Sequence, residues 1–555
     1  TDGTANGQII INENIALSQT TGDGFVSNAS GANIISRRDS NTGNVQSITT
    51  QGGNILLNNG HIFAESGDTD MQLTLNSTGA SATSGAINFG VVDDDSGTDS
   101  FLNAFSVFAN GTTTVGTISL QGSAISVDGS INLLGNVELN TTTVLDSEQG
   151  NNAVAGSVVV GGAIGSSITA SAAGFDLTLD TSVAGFAAGS VSLSEVLGNA
   201  GVFVNDITID TNGATNGLIV LAPEGGTASI LLDAVGADTG DFTVSTVAEV
   251  RIDSNLTIDT EQGADADAGN ILFGSSTLFS NAIGNDLILQ ADSAGNTGGI
   301  VIVGLISDNG AAFLNDVTID VFSVGGTLGN ITVFTGINTD SNGADVSDIV
   351  LKGRIETPST ISFDNEAGGD ETSGDIDLSF GLFSASNTGV DLAFTTATTG
   401  SAGDVFLPQL DGAAGNFVND LTVNTAGAVD GNVIFANDVL LDSNGADLAD
   451  LTLTGVSTAR PTVSLTIDVE QGNDEDSGSI DFSGITLTAI GGGKDLTLST
   501  ETSQNSGDIK LGLVTNSPSF INDLTLNSLG GLSSGLIELN GSINIDSSGA
   551  DDATF

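Results

Sequence analysis

The sequence predicts an all-β fold, a parallel β-helix (β-solenoid) with about three short strands in each coil, forming a single elongated rod. Two short phrases recur along the chain with one shared period. Between them, runs of Ile, Val, Leu, Phe and Thr alternate with polar residues and are bounded by Gly, Asn, Asp and Ser, which is typical of half-buried strands. No stretch carries the sustained apolar period of a helix.

The first phrase is Phe-x-Asn-Asp followed by alternating apolar residues. Its four full copies start 110, 104 and 103 residues apart, and a degenerate copy lies 102 residues before the first. The second phrase is Asp-Leu-Thr-Leu or a close variant. Two phrases with one period indicate stacked units that share a continuous core. The first phrase begins at Phe101 (degenerate), Phe203, Phe313, Phe417 and Phe520, and the second at Gln72, Asp176, Asp286, Asp391 and Asp495.

Each large repeat divides further into three units of about thirty residues and one short insert of 12 to 14 residues. A unit holds enough residues for three short strands, which fits one turn of a triangular coil. We expect the insert to add one extra side. Because each strand has a single apolar face, coiling is the way for all strands to bury that face against the coils above and below.

The domain organisation follows from the repeat. Residues 1–130 fit the pattern least well, and we predict divergent N-terminal coils there. Residues 131–555 are predicted to form the solenoid of repeats of about 104 to 110 residues, in one continuous domain. Both ends of the sequence fall inside a repeat unit, so the last coil of one chain could template the first coil of another. We therefore expect end-to-end self-association into fibres.

Charge and composition exclude several classes of partner. The chain has 8 Lys+Arg against 68 Asp+Glu, a net charge of −60, so we expect no binding to nucleic acid or to anionic lipid surfaces. No run approaches the ~18–20 apolar residues of a membrane span, so no membrane insertion is expected. Cysteine is absent, which excludes disulfides and thiolate chemistry. Self-repulsion must be offset by salt or bound cations, which indicates a salty or calcium-containing medium.

Acidic turns are the best candidates for a metal site. Three of them occupy one repeat position, and four acidic groups on a Gly-containing loop could wrap Ca²⁺, which takes six to eight oxygen ligands. The equivalent turn at Asp146 keeps that residue and Glu148 but loses the other two acids. Calcium sites and solvated turns both remain open. The candidate ligands are Asp259, Glu261, Asp265, Asp267, Asp364, Glu366, Asp370, Asp468, Glu470, Asp474 and Asp476.

A second acidic set has the form Asp-Ser-Asn/Ser-Gly-Ala-Asp and begins at Asp340, Asp442 and Asp546. Its Asn-Gly and Ser-Gly pairs indicate turns first, with a ligand role as the alternative.

Catalysis is not expected, and neither is a cofactor other than Ca²⁺. A lyase acting on uronates needs a cluster of basic residues, whereas the basic residues here are scattered. A hydrolase could use paired carboxylates, but the acids lie at repeated turn positions and form no unique cluster. His61 alone cannot form a triad or a histidine metal site. The basic residues are Arg37, Arg38, Arg251, Lys352, Arg354, Arg460, Lys494 and Lys510.

The string Gly-x-Ile-x-Leu-x-Gly-x-Ile, which begins at Gly535 and is echoed from Gly116, resembles the repeats of filamentous-haemagglutinin-like large exoproteins and autotransporter adhesins. The resemblance covers most of the chain at the level of pattern. It implies a right-handed parallel β-helix on a bacterial cell surface with an adhesive or fibrous role.

Together, the residues and the resemblance lead us to expect a non-enzymatic extracellular structural protein, a surface filament or adhesin stalk. The alternatives are a calcium-dependent adhesin or surface-layer component and, more distantly, a carbohydrate-active β-helix enzyme.

Overall fold

The structure is a computed structural model, and the description is confined to part of the chain. The described residues form strands joined by turns and bends, and they contain no helix. These residues are 8–11, 14–17, 23–26, 33–36, 45–57, 61–64, 70–78, 84–93, 101–110, 115–149, 153–162, 165–198, 202–223, 227–234, 238–262, 266–294, 296–307, 312–341, 346–369, 372–411, 416–445, 447–472, 475–516, 519–546 and 554–555.

The strands are short and follow one another closely along the chain. In order they are β1 (Gln8–Ile11), β2 (Ile15–Leu17), β3 (Asp23–Val26), β4 (Asn33–Ser36), β5 (Val45–Thr50), β6 (Asn54–Leu56), β7 (Ile62–Ala64), β8 (Gln72–Asn76), β9 (Ile87–Phe89), β10 (Ala104–Phe108), β11 (Thr117–Leu120), β12 (Ala124–Ser126), β13 (Ile131–Leu134), β14 (Asn136–Leu139), β15 (Thr143–Asp146), β16 (Val158–Gly161), β17 (Ser167–Ala170), β18 (Phe175–Asp180), β19 (Val191–Leu193), β20 (Glu195–Val196), β21 (Val204–Asp210), β22 (Ile219–Leu221), β23 (Thr227–Leu231), β24 (Phe242–Val244), β25 (Glu249–Ile252) and β26 (Asn255–Asp259). They continue with β27 (Ile271–Leu272), β28 (Thr277–Ser280), β29 (Ile283–Gln290), β30 (Ile300–Ser307), β31 (Phe313–Asp320), β32 (Asn330–Asn338), β33 (Ile349–Lys352), β34 (Arg354–Thr357), β35 (Ile361–Asp364), β36 (Ile376–Asp377), β37 (Leu382–Ala385), β38 (Val390–Thr395), β39 (Val405–Leu407), β40 (Gln409–Asp411), β41 (Val418–Asn424), β42 (Asn432–Phe435), β43 (Val439–Leu440), β44 (Leu451–Thr454), β45 (Thr458–Pro461), β46 (Leu465–Asp468), β47 (Ile480–Leu487), β48 (Lys494–Ser499), β49 (Ile509–Val514), β50 (Ile521–Asn527) and β51 (Ile537–Leu539).

The described chain divides into two compact units. The first holds Thr1–Asn281, Leu289–Gly299 and Val324–Gly326, and the second holds Ala282–Ile288, Ile300–Ser323 and Thr327–Phe555. The predicted change of character at residue 130 stays a prediction.

Both units are built as coils of three parallel strands. In the first unit, β13 pairs with β16, β14 with β17 and β15 with β18. In the second unit, β36 pairs with β39, β37 with β40 and β38 with β41. Since a strand pairs with the one three places further along, each coil has three sides and the strands of one side stack as a parallel ladder. The predicted β-solenoid with about three strands per coil is confirmed.

The core lies inside each coil because residues alternate between the two faces of every strand. In β8, for example, Leu73 and Leu75 are buried and the polar residue between them is partly exposed. In β10, Phe105 and Val107 are buried and Ser106 between them is partly exposed. Buried side chains then stack on their equivalents in the next coil. In the second unit Phe363 lies 5.2 Å from Phe394, its register partner in the next coil, measured between ring centroids. In the first unit Phe89 and Phe105, which lie on different sides of the coil, pack edge to face inside it at 5.1 Å.

The Phe-x-Asn-Asp phrase changes face from one large repeat to the next. In the second unit its three copies lie at β31, β41 and β50. β31 belongs to the ladder β31–β33–β36–β39, β41 to the ladder β35–β38–β41–β44, and β50 to the ladder β43–β46–β48–β50. These are the three different sides of the coil, so equivalent loops of successive repeats lie at different corners.

The short insert causes this change of face, and our expectation that it adds one side is wrong. The insert begins at Ile349 on β33 and ends at Ile361 on β35, and β34 lies between them. The chain therefore advances by two sides. Two sides fit into so few residues because Gly353 alone separates β33 from β34, with a φ of 144° that favours glycine.

One corner of the coil is built from glycines stacked on one another. A Cβ atom on Gly189 would lie 1.7 Å from the carbonyl oxygen of Gly156, and a Cβ atom on Gly217 would lie 1.7 Å from that of Gly189. In the second unit a Cβ atom on Gly403 would lie 1.7 Å from the carbonyl oxygen of Gly374. Side chains are excluded from this corner because the backbones of neighbouring coils approach closely there.

A buried polar side chain closes the loop that leads to each of these glycines. Thr181 donates to the carbonyl oxygen of Gly189 at 2.7 Å, and Thr396 donates to that of Gly403 at 2.9 Å. These bonds provide partners for backbone carbonyl groups at the corner, where no strand pairs with them.

Candidate functional site

Aspartate has two structural roles, one at each end of the strands. At the carboxyl end, an Asp side chain accepts a hydrogen bond from the backbone amide two residues further on, which closes an Asx-turn. Among the predicted ligands, Asp259 accepts from Glu261 N at 3.0 Å, and Asp468 accepts from Glu470 N at 3.2 Å. Asp364 does the same with Glu366 N, at 3.2 Å.

These three carboxyl groups are partly withdrawn from water. Burial is the main cause that raises the pKa of Asp259, Asp364 and Asp468, while the donated amide bond acts in the opposite direction. The equivalent Asp146 has the same surroundings, and burial raises its pKa to about 6. The first predicted ligand of each acidic turn therefore has one oxygen committed to its own turn.

The glutamates two positions further on point into the protein. Glu261, Glu366 and Glu470 are buried, as is the equivalent Glu148. The Glu470 carboxylate accepts from the backbone amides of Ser443 and Glu475, both at 3.3 Å. Ser443 lies in the preceding coil, so this glutamate joins its own loop to the loop below.

The remaining predicted ligands are only partly described. Asp267 accepts from Thr297 N at 2.8 Å, and Asp476 accepts from Asn505 N at 2.9 Å, each one coil further on. Asp265, Asp370 and Asp474 lie outside the described residues. Within the described ranges, no group of three or more acidic or histidine side chains is placed to hold a metal ion. The calcium sites stay a prediction.

The structure brings together the two acidic sets, which lie apart in the sequence. The loop from Asp442 to Asp447 lies directly below the turn that begins at Asp468. Asp442 accepts from Gly472 N at 3.2 Å, and the Ser443 hydroxyl donates to the carbonyl oxygen of Asp476 at 2.8 Å. One corner therefore carries two acidic loops in adjacent coils.

The Asn of the Phe-x-Asn-Asp phrase bonds to the lower of these two loops. Asn419 is buried, and the pairing of β38 with β41 has a bulge that places an extra residue there. When its amide is assigned the orientation in which the nitrogen faces the neighbouring acceptors, it donates to the carbonyl oxygens of Asp442 at 3.1 Å and Asp447 at 3.3 Å. We missed this role. The available signal was that Asn recurs in every copy of the phrase although an alternating strand would place an apolar residue inward.

The Asp of the same phrase lies in a column of stacked carboxylates, in which Asp316 N donates to Asp286 at 3.4 Å. Asp348 N donates to Asp316 at 2.9 Å, Asp375 N to Asp348 at 2.7 Å, and Asp404 N to Asp375 at 2.7 Å. Asn432 N donates to Asp404 at 2.8 Å and ends the column. We call the acids of such columns rung aspartates, since each one joins a coil to the next.

Rung aspartates recur at the start of other copies of the phrase. Asp241 N donates to Asp206 at 2.8 Å, and Asp450 N donates to Asp420 at 2.9 Å. We did not predict these residues from the sequence. The signal that would have indicated them is a Gly-Asp or Gly-Asn pair directly before a strand, as at Gly403-Asp404.

Several basic side chains are dispersed over separate ladders. Arg251 pairs with Asp253 at 2.7 Å, Lys352 with Asp320 at 2.9 Å, and Arg354 with Glu356 at 3.0 Å. Each neutralises a carboxylate on its own strand or on the neighbouring one.

Comparisons with known proteins do not extend this description. No protein-family model matches the chain, and searches of curated proteins and of solved structures find no match. In the part of the chain that the structure describes, no helix is long and apolar enough to cross a membrane. The function must therefore be argued from the geometry of the coils.

Proposed function

We propose that the chain is a non-enzymatic extracellular structural protein, a β-solenoid that forms a stalk or fibre on a bacterial cell surface. The observation that carries the proposal is the use of the acidic residues. Asp, Glu and Asn side chains of the repeated turns bond to the backbone of their own loop or of an adjacent coil, as at Asp375, Asn419 and Glu470. A side chain committed in this way stabilises stacking, which is what a stalk requires.

Assembly into a fibre is supported by the last described coil. Ile537 and Leu539 of β51 are 39% and 46% exposed, whereas Ile509 and Leu511, their partners on β49, are 0% exposed. A coil that continues the solenoid would cover these side chains, as β51 covers Ile509 and Leu511. We propose that in a fibre a second copy of the chain provides such a coil, by adding a parallel strand to an exposed strand edge.

Electron microscopy and sedimentation at rising protein concentration test this assembly. We expect filaments whose length increases with concentration, and we expect the double variant Ile537→Lys, Leu539→Lys to shorten them. Val429→Lys is the matched control, because Val429 is 63% exposed on a corner loop away from β51. Discrete particles at every concentration, or equal effects of the two variants, would contradict fibre formation and leave the stalk.

A calcium-dependent adhesin or surface-layer component is the second candidate function. The stacking of the Asp442–Asp447 loop on the turn at Asp468 favours it, because two adjacent acidic loops offer more oxygen ligands than one. For this candidate we expect Ca²⁺ to raise the melting temperature and EDTA to reverse the rise. Mg²⁺ at equal ionic strength controls for screening, and a melting temperature that Ca²⁺ and EDTA leave unchanged removes the candidate.

A further inference from the structure

The column of rung aspartates places like charges next to one another. Asp316, Asp348, Asp375 and Asp404 lie at the start of adjacent strands of one ladder, joined by backbone bonds of 2.7 to 2.9 Å. Adjacent strands are ~4.8 Å apart, so neighbouring carboxylates are separated by about that distance. One oxygen of each carboxylate accepts the backbone bond.

The side chains around Asp375 offer little neutralisation. Asp348 and Asp404 flank it in the column, and Asp377 lies on its own strand. β39, which packs above, carries no charged residue. On β33, which packs below, Lys352 bonds to Asp320 at the opposite end of the strand, at 2.9 Å. Further down at that end of the ladder lie the acids Asp316 and Asp286, the second of which accepts from Asp316 N at 3.4 Å.

Two asparagines occupy rung positions in this chain, and they show how a neutral side chain with a hydrogen-bond donor behaves there. Asn432 donates to Asp404 through both its backbone amide and its side-chain amide, each at 2.8 Å. Asn270 donates to Asp241 in the same way, at 2.7 and 3.3 Å. A protonated aspartate resembles asparagine in size and also carries a donor, so a protonated rung can bond to the carboxylate below it.

We propose that the rung aspartates are a pH-sensitive clamp, which binds protons in mild acid and thereby holds adjacent coils together more firmly than in alkaline solution. On protonation the carboxyl group keeps its acceptor for the backbone amide and gains an O–H that donates to the neighbouring carboxylate. Repulsion between the two rungs is replaced by a hydrogen bond. The inference concerns stability and does not depend on whether the chain forms fibres.

The raised pKa values of the rung aspartates agree with this geometry. Burial first, and then neighbouring acids that include Asp241, raise the pKa of Asp206 to about 6, against the opposing effect of the Asp241 amide. The pKa values of Asp375 and Asp420 are raised by burial and by their own rung neighbours. A carboxyl whose pKa is higher in the folded state contributes stability at low pH, and this contribution is lost as the pH rises through the folded value.

The test is the melting temperature at pH 5 and pH 8, at constant ionic strength, for the unmodified chain, Asp375→Asn and Asp430→Asn. Asp430 is the matched control, since it is exposed on a corner loop where it accepts from Gly427 N at 3.0 Å. Both variants remove one negative charge. The unmodified chain should melt at least ~3 °C higher at pH 5 than at pH 8.

Asp375→Asn should raise the melting temperature at pH 8, because the new side-chain amide can donate to Asp348 as that of Asn432 donates to Asp404. It should also reduce the difference in melting temperature between pH 5 and pH 8. Asp430→Asn should change neither quantity by as much. Equal effects of the two variants would assign the pH dependence to net charge and overturn the clamp. A lower melting temperature at pH 5 than at pH 8 would overturn it as well.

Discussion

Gly403→Ala is expected to destabilise the coils around it by about 3 kcal/mol or more, since the neighbouring backbone cannot give way without separating strands. The new Cβ atom would lie 1.7 Å from the carbonyl oxygen of Gly374 and 2.3 Å from its carbon. In a stacked repeat the loss of stability should be confined to the coils near the substituted residue. Chemical denaturation measures the loss, and hydrogen exchange should show it concentrated in the coils that contain Gly374, Gly403 and Gly431.

Gly445→Ala is the matched control for this substitution. Gly445 has a φ of 68°, and no described atom lies within 4 Å of the position that a methyl group would take there. Alanine at this residue therefore meets only backbone strain of about 1–2 kcal/mol. If the two variants lose equal stability, the close approach of stacked glycines does not limit the corner.

Phe363→Ala is expected to cost about 3–5 kcal/mol, the usual range for removing a buried phenylalanine. Phe363 is fully buried, and its ring stacks on that of Phe394 with an interplanar angle of 7°. The cavity would lie within a closely stacked coil, whose ladders restrict collapse. Thermal and denaturant unfolding should show the loss, and Phe363→Leu should recover most of it.

Phe380→Ala provides the contrast, because Phe380 lies in the turn between β36 and β37. Phe380 is 55% exposed, and a substitution at such a position changes stability by about 0.5 kcal/mol or less. A loss at Phe380 as large as that at Phe363 would mean that the inward stack does not carry the stability of the coil.

The architecture could be predicted because the signals that specify it are local and repeated. Alternation in segments such as Gln72–Asn76 fixes which face of a strand is buried, and the recurrence of the same segment implies that buried faces stack. The number of sides in the short insert could not be obtained in this way. It depends on Gly353, a single residue that forms a whole corner.

The candidate site was predicted in part. The acidic turns were found because their residues recur, and Asp259, Asp364 and Asp468 do lie at one structural position, the Asx-turn. That Glu470 points inward could not be read from spacing, because an acidic residue in a turn is expected to face solvent. Its burial is explained by the amides of Ser443 and Glu475, and Ser443 belongs to another coil.

The sequence by itself therefore determined the class of fold, the three-strand coil and the positions of the acidic turns, because each of these follows from a pattern within a few residues or from its repetition. The tertiary structure decided which turns meet. Asn419 reaches the Asp442–Asp447 loop, and Asp375 bonds to the rungs above and below, across about thirty residues of chain. Such contacts depend on the number of sides between two residues, since one side more or less moves a loop to a different corner.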